Sequence, residues 1–388
     1  MDCPICDAAS YRPFFERRDV PTQDGRVWRT RHEALTAPTS GIRLALCHAC
    51  GYVGNEWFDP LAIRYDDDYA FSMFQSQVFR EFLTHLAGDL IERLDLRGRT
   101  ILEIACGDGA FLELLCGLGH NDGLGVDPTA SPGSYVRNGN VVEFVQELYA
   151  EQHLSRTVDF ICCRQALDQV AEPRAFAALV HRHAAPASAP VYFEVPNAEC
   201  IFQEAIIRNV VAEKRSWFTA ASLSKLCVTT GFSIDAIGPC FVDGQYLNVV
   251  ATPARSHAPV PDDSVGPTPE FLQAVGTFSA RYDATVESWR TQLSHFTTAG
   301  RKLMAWGAGA GAINFLTSLR IRDEVPLVVD INPERQGRFL PLTGQEIVDP
   351  SAVRTYAPDV MIVTNATYER EIALALRELG PDCELWTL

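Results

Sequence analysis

The sequence predicts an α/β fold: a doubly wound, largely parallel sheet in the middle of the chain. A cysteine-bearing segment precedes it and a second, smaller α/β unit follows it. Three observations predict this. From residue 100 onward, short apolar runs alternate with helix-length patterns, the rhythm of a sheet whose parallel strands are joined by helices. Two of these passages go through a glycine turn, "TILEIACGDGAFLELL" and "KLMAWGAGAGAINFLTSL", and in each case the next strand ends in an aspartate, Asp127 and Asp330. Four of the 12 cysteines gather in two knuckles, "CPIC" and "CHACG", near the N-terminus. At 388 residues the chain exceeds one ordinary core, so two or three domains are expected.

Composition removes several function classes. The net charge of −16 argues against a DNA or RNA partner, because such binding draws on Lys and Arg against phosphates. A small anionic ligand stays open, since a few local arginines can override the global field. The longest apolar runs are strand-length, short of the roughly 20 residues of a membrane span. No basic stretch followed by an apolar one opens the chain, so no signal peptide is expected. The expectation is a cytoplasmic protein that meets neither membrane nor nucleic acid, monomeric or weakly oligomeric, with its cysteines as thiols.

Taken in order, residues 1–60 carry the knuckles and few helical patterns. Each knuckle puts two thiolates on one tight turn, so Cys3, Cys6, Cys47 and Cys50 can complete a tetrahedral S4 site. The gap of roughly 40 residues between knuckles is longer than a short zinc ribbon's. Four thiolates leave no open position, so the predicted Zn2+ is structural. Residues 61–252 form a helical lead-in, read over Leu61–Leu96, and the main α/β domain. Its strands are read at Ile101–Ala105, Gly123–Val126, Val158–Cys163 and Ala189–Pro196, with helices at Gly109–Leu118 and Pro173–Ala184. Residues 253–270 are read as a linker, since "TPARSHAPVPDDSVGPTPE" holds five prolines among turn residues. An amphipathic helix over Phe271–Phe296 then opens the last unit, 271–388.

The first glycine turn reads E-x-A-x-G-D-G at Glu103, Ala105, Gly107, Asp108 and Gly109, not the G-x-G-x-x-G of a dinucleotide site. A carboxylate at that strand end repels a pyrophosphate but suits the ammonium of an amino-acid moiety. S-adenosylmethionine carries such a moiety and no phosphate. Asp127, ending the next strand, can accept two ribose hydroxyls. Gln165, after the Val158–Cys163 strand, joins this cofactor set. A plain strand–helix turn, or NAD, is the competing reading.

Several landmarks stand in one order: "CPIC…CHACG", "YDDDYAFSMF", "LEIACGDGAFLELL", "FEVPN", "RSWFTAASL" and "WGAGAGA…VVDINPERQGRFLP". In these the chain resembles, over nearly its whole length, the three-domain sugar C-methyltransferases that act on nucleotide-linked deoxysugars in antibiotic pathways. The resemblance implies a zinc-binding N-terminal domain, a class I methyltransferase domain and a Rossmann-like C-terminal domain on the substrate side. The chain departs from that family's pattern in three places. Ala105 stands where the family usually has Gly, and "ALDQV" stands where it often has L-E-H. Glu213-Lys214 stands where it has Glu-His, the His of which is taken to remove the proton beside the ketone.

That last change matters chemically. C-methylation beside a carbonyl needs a base for the C–H proton and a donor for the oxyanion. Lysine starts near 10.4 and needs burial or nearby positive charge to act as a base at neutral pH; Arg215 would help and Glu213 would oppose. Three readings stand for Lys214: a tuned base, a cationic clamp for an anionic substrate, or a salt-bridged residue on a surface helix. Tyr65 and Tyr69 match the family's tyrosines, as substrate contacts or as packing. Asn197 after "FEVP", and Trp217, are candidate substrate contacts, with Asn197 alternatively a loop cap. In the last unit Gly307, Gly309, Asn332, Arg335 and Arg338 offer N–H groups and an arginine pair to an anion, unless that turn is vestigial. The function expected is methyl transfer from S-adenosylmethionine to a nucleotide-linked sugar or modified relative. The alternative is a non-catalytic or repurposed cofactor-binding protein.

Overall fold

The computed structural model describes residues 2–66, 69, 74–137, 139–254 and 266–388. Much of the "YDDDYAFSMF" landmark and most of the expected linker lie outside the described residues.

The "TILEI" run is a strand, Thr100–Ile104, near the middle of an eight-stranded sheet. The order across that sheet is Phe232–Cys240, Tyr246–Pro253, Val191–Pro196, Phe160–Arg164, Thr100–Ile104, Asp122–Val126, Asn140–Val145 and Gly133–Arg137. The five strands from Val191–Pro196 to Asn140–Val145 are parallel, and antiparallel strands close both edges. Side chains alternate across the sheet as the pleat requires. Ile101 packs with the Gln77–Leu94 and Ala110–Gly119 helices, whereas Leu102 and Ile104 pack with Pro173–Ala184 and Ala220–Thr229.

A four-stranded antiparallel sheet holds the N-terminal segment, in the order Tyr11–Pro21, Thr39–Cys47, Val53–Asn55 and Ser216–Trp217. Its last strand comes from "RSWF", far along the chain, which stitches this sheet to the central one. A five-stranded, wholly parallel sheet forms the last unit, in the order Glu346–Val348, Leu327–Val329, Leu303–Trp306, Val360–Val363 and Glu384–Thr387. The Pro269–Thr298 helix joins the two: Phe271, Phe278 and Trp289 share one buried core with Phe15 and Ile42 of the N-terminal sheet and Leu303 and Ile362 of the last.

Several expected bounds move. The helix read over Leu61–Leu96 runs only over Gln77–Leu94. Ser76 caps it through its side chain, and residues 60–62 make a single 3-10 turn. Ala105 lies beyond its strand, in the left-handed region at φ 57°. The long helix gains a turn's worth of residues at its ends, because Thr268 caps it and Pro269 fits its first position. The antiparallel edges, the Ala220–Thr229 helix and the Glu346–Val348 and Glu384–Thr387 strands are additions to the predicted pattern.

Candidate functional site

The first glycine turn lies at the carboxyl ends of the parallel strands, where open α/β sheets place ligands. Gly107 and Gly109 adopt φ 56° and 79°, and a Cβ on Gly109 would lie 2.3 Å from the Phe144 ring, so the turn requires glycine there. Asp127 ties the turn to the next strand. Its Oδ2 accepts the Gly107 N–H at 2.9 Å, and its Oδ1 accepts the Thr129 N–H and hydroxyl at 2.7 and 2.6 Å. A cavity of about 440 Å³ opens above, lined by Glu103, Ala105, Gly107, Asp108, Asp127 and Gln165 together with Phe111 and Tyr149. All the predicted cofactor residues except Gly109 line it.

Glu103 is 2% exposed, and among the described residues its Oε2 has no hydrogen-bond partner. Burial pushes its carboxyl up to about 8, against the pull of the Arg164 guanidinium. Arg164 is itself committed: it pairs with buried Glu194 at 3.0 Å and lies 4.5 Å over the Phe111 ring. The cavity therefore presents three acidic side chains and one already paired cation. That donor set fits a sulfonium and an ammonium, and does not fit a pyrophosphate.

A second cavity, of about 350 Å³, lies between the central and last sheets and also reaches the N-terminal sheet. Tyr69, Gln165 and Gln169 line both cavities. Glu213 and Lys214 are in its wall, with Asp24, Asp168 and Arg335. Glu213 is buried; its Oε2 accepts the N–H groups of Asp24 and Gly25 at 2.9 and 3.3 Å, and burial raises its carboxyl. The Lys214 ammonium lies 3.1 Å from the carboxylate of Asp168, which is 1% exposed. Two departures from the resembled family, "ALDQV" and Lys214, thus meet in one ion pair. Tyr65 donates its hydroxyl to Gln169 at 3.1 Å and stacks edge-on against Tyr69, 5.2 Å between ring centroids.

Four sequence expectations need correction. Lys214 is not on a surface helix: it sits in a loop, largely buried in the cavity wall. Arg215 is committed elsewhere: its guanidinium donates to the carbonyls of Asn55 and Ala171, at 2.8 and 3.3 Å. Trp217 is fully buried and lies in a strand of the N-terminal sheet, its indole N–H given to Asn209 O, so it belongs to the core and not to a substrate site. Asn197 is the loop cap: its side chain accepts from Glu199 N and donates to Gly244 O, and it is absent from the cavity wall.

The second glycine turn repeats the tie of the first. Asp330 accepts the Ala308 N–H at 2.8 Å through Oδ2 and the Asn332 N–H at 2.8 Å through Oδ1, as Asp127 does with Gly107 and Thr129. Gly307, Gly309, Asn332 and Arg335 all line the second cavity. Arg338 does not, so the predicted arginine pair reduces to Arg335, whose guanidinium also donates to Ala308 O at 2.7 Å. The sequence reading missed Asp24, Asp168, Arg208 and Tyr246 in this wall. Asp168 carried a visible signal as a departure beside a strand end; Asp24, in "TQDG", carried none.

At the opposite end of the N-terminal sheet, where Tyr11 pairs with Cys47, the sulfurs of Cys3, Cys6, Cys47 and Cys50 lie within 4.8 Å of one another. The two knuckles close on each other, with Cys3 3.7 Å from Cys50 and Cys6 3.6 Å from Cys47. Four sulfurs at this spacing are compatible with zinc.

Residues 79–237 match the family model of a methyltransferase domain, and residues 270–381 that of a C-methyltransferase C-terminal domain. Nothing among curated proteins matches the sequence. Solved structures similar to this chain include magnesium protoporphyrin IX methyltransferase from Synechocystis PCC 6803, at 15% identity and a TM-score of 0.35, covering 46% of this chain and 84% of that one. The 1,6-didemethyltoxoflavin-N1-methyltransferase of Burkholderia thailandensis is similar at 14% identity and a TM-score of 0.34, covering 46% and 81%. A SAM-dependent methyltransferase from Aquifex aeolicus is similar at 16% identity and a TM-score of 0.33, covering 49% and 100%. With two such domains in succession and a class I arrangement of the central sheet, the chain is an S-adenosylmethionine-dependent methyltransferase with a C-methyltransferase C-terminal domain.

Proposed function

We propose that this protein methylates a carbon atom of a small molecule, a nucleotide-linked sugar or a modified relative, held in the cavity between the central and last sheets. The observation that carries this reading is the meeting of two cavities at Tyr69, Gln165 and Gln169, one fitted to a cationic cofactor and the other walled by acids, Lys214 and Arg335. Glu103, Gly107, Asp108, Asp127 and Gln165 would hold S-adenosylmethionine. It supplies a methyl group on a positive sulfur, which departs with the bonding pair as a neutral thioether. The chain's own part is to align, exclude water and move one proton.

Glu213 is the proton acceptor in this reading. Its Oε2 is fixed by two backbone N–H groups, and burial raises its carboxyl above the ordinary range, which strengthens it as a base. It takes the proton beside a carbonyl, the C–H pair becomes a C=C bond, and the carbonyl π pair moves onto oxygen. Lys214, held by Asp168, is the clamp that gives an N–H to that oxygen. Gly307, Gly309, Asn332 and Arg335 receive the remainder of the substrate. Cys3, Cys6, Cys47 and Cys50 hold a structural Zn2+. The reading also takes the domain limits as 1–60, 61–252 and 271–388 around a 253–270 linker, and the setting as a cytoplasmic natural-product pathway.

Calorimetry with S-adenosylmethionine and S-adenosylhomocysteine tests the first half. Binding of both is expected, and a folded protein that binds neither ends the reading. Labelled methyl transfer to candidate nucleotide sugars tests the second half, with product mass locating the new carbon bond. Lys214→Ala should lower kcat by about a hundredfold, as loss of one oxyanion donor does, and unchanged turnover would remove Lys214 from the chemistry.

A further inference from the structure

The N-terminal sheet delivers a side chain to the acceptor cavity that nothing in the sequence singles out. Asp24 follows the Tyr11–Pro21 strand, is 6% exposed and lines the cavity beside Glu213. We propose that Asp24 is a further catalytic group, a carboxylic acid that donates its O–H in a hydrogen bond to the substrate oxygen on which negative charge develops. The inference rests on the methyl-transfer reading above and adds a second donor to it.

The geometry assigns the proton. Two carboxyl groups this close, both buried, do not ionise together. Glu213 has the better anion site, because Oε2 receives the N–H groups of Asp24 and Gly25. Asp24 Oδ2 and Glu213 Oε1 are both buried without a partner among the described residues, so the two N–H groups on Glu213 Oε2 are what separate the pair. The groups that bear on Asp24 agree in the balance. Burial raises its carboxyl well above the usual range and Glu213 adds to the rise, against Lys214, Arg335 and Arg17. A neutral carboxyl in a buried site gives its hydrogen bond to an oxyanion without being consumed: Glu213 holds the abstracted proton, and Asp24 keeps its own. The arrangement also gives the N-terminal unit a chemical role besides any metal it holds, since this unit positions both the Asp24 carboxyl and the two N–H groups that fix Glu213.

The test uses para-nitrophenol, whose phenolate mimics an enolate oxygen and whose absorbance reports ionisation, with the full chain saturated by S-adenosylhomocysteine. The wild type should bind the phenolate, Asp24→Ala should weaken binding about tenfold or more, and Asp24→Asn, which keeps a neutral donor, should restore most of it. The infrared difference between wild type and Asp24→Asn at neutral pH should show one protonated-carboxyl band present in the wild type alone, the Glu103 band being common to both and cancelling. Equal phenolate binding in Asp24→Ala, survival of the band in Asp24→Asn, or no phenolate binding by a wild type that still binds S-adenosylhomocysteine would each overturn the proposal. Failure of the wild type to bind S-adenosylhomocysteine strikes the methyl-transfer reading instead. Should Asp24→Ala not fold, Asp24→Asn and Glu213→Gln give the band assignment by themselves.

Discussion

Ala105 stands at φ 57° between the strand and the first glycine turn, a region that costs an ordinary residue about 1 kcal/mol or more. Its backbone shows why the resembled family keeps glycine there. The same turn exposes the second residue-scale feature, the buried carboxyl of Glu103. Its folded value of about 8 lies above the ordinary 4.5, so between those limits the folded chain holds a proton that the unfolded chain has released. Stability from this group is therefore complete below about pH 4.5 and declines as pH rises to about 8. Urea denaturation of the cofactor-free protein should show that decline, and Glu103→Gln should flatten it; an unaltered slope would mean that Glu103 titrates normally. Lys214 and Asp168 give a sharper test. Lys214→Met leaves a buried carboxylate unpaired and should cost roughly 3 kcal/mol, most of which Asp168→Asn should return in the double variant. Additive losses would mean that the pair contributes nothing as a pair.

Elements were legible in the sequence where periodicity decided them. The Thr100–Ile104 strand, the Pro173–Ala184 helix and the glycine turns follow directly from apolar spacing. The antiparallel edges did not, because an exposed strand such as Gly133–Arg137 has no buried run to announce it. The helix start at Gln77 was hidden for another reason, since its cap is completed by a distant residue. Ser76 and the Gln77 N–H both give hydrogen bonds to the Glu371 carboxylate, at 2.7 and 3.1 Å, from a helix some 300 positions later. A negative charge at a helix N-terminus is favourable by about 0.3–1 kcal/mol, and the bonds add to it. Glu371→Ala should therefore cost about 1 kcal/mol and speed amide exchange in the first turn of the Gln77–Leu94 helix, while leaving exchange in the Ala110–Gly119 helix as it was. Equal exchange in that first turn would show the contact to be idle.

Across the whole molecule the site belongs to no single unit. Which residues would line one cavity was only half legible: most residues of the two glycine turns line a cavity, whereas Gly109 and Arg338 do not, and Trp217 and Asn197 were claimed by strand pairing and capping. Asp24 meets Glu213 across 189 positions, a contact that no local pattern records, whereas Asp168 is joined to the site by its ion pair with Lys214. The cysteine cluster shows the same dependence. Cys3, Cys47 and Cys50 share a core with Leu102, Val195 and Phe218 of the central domain, so any metal they hold supports more than its own segment. Metal analysis should find about one zinc per chain. Chelation should then lower Tm and expose Tyr11–Cys47 to proteolysis, and cofactor affinity should fall with it. A metal-free protein of equal Tm would leave the four sulfurs as ordinary core thiols.

The opening ringed by Tyr69, Gln165 and Gln169 has one more consequence. Because those three side chains line both chambers, a single molecule reaching from one into the other would meet the second chamber at high local concentration once its first half had docked. Adenosine joined through a short spacer to the acceptor half should thus outbind either piece alone by orders of magnitude, and the best spacer length would measure the distance between the two berths.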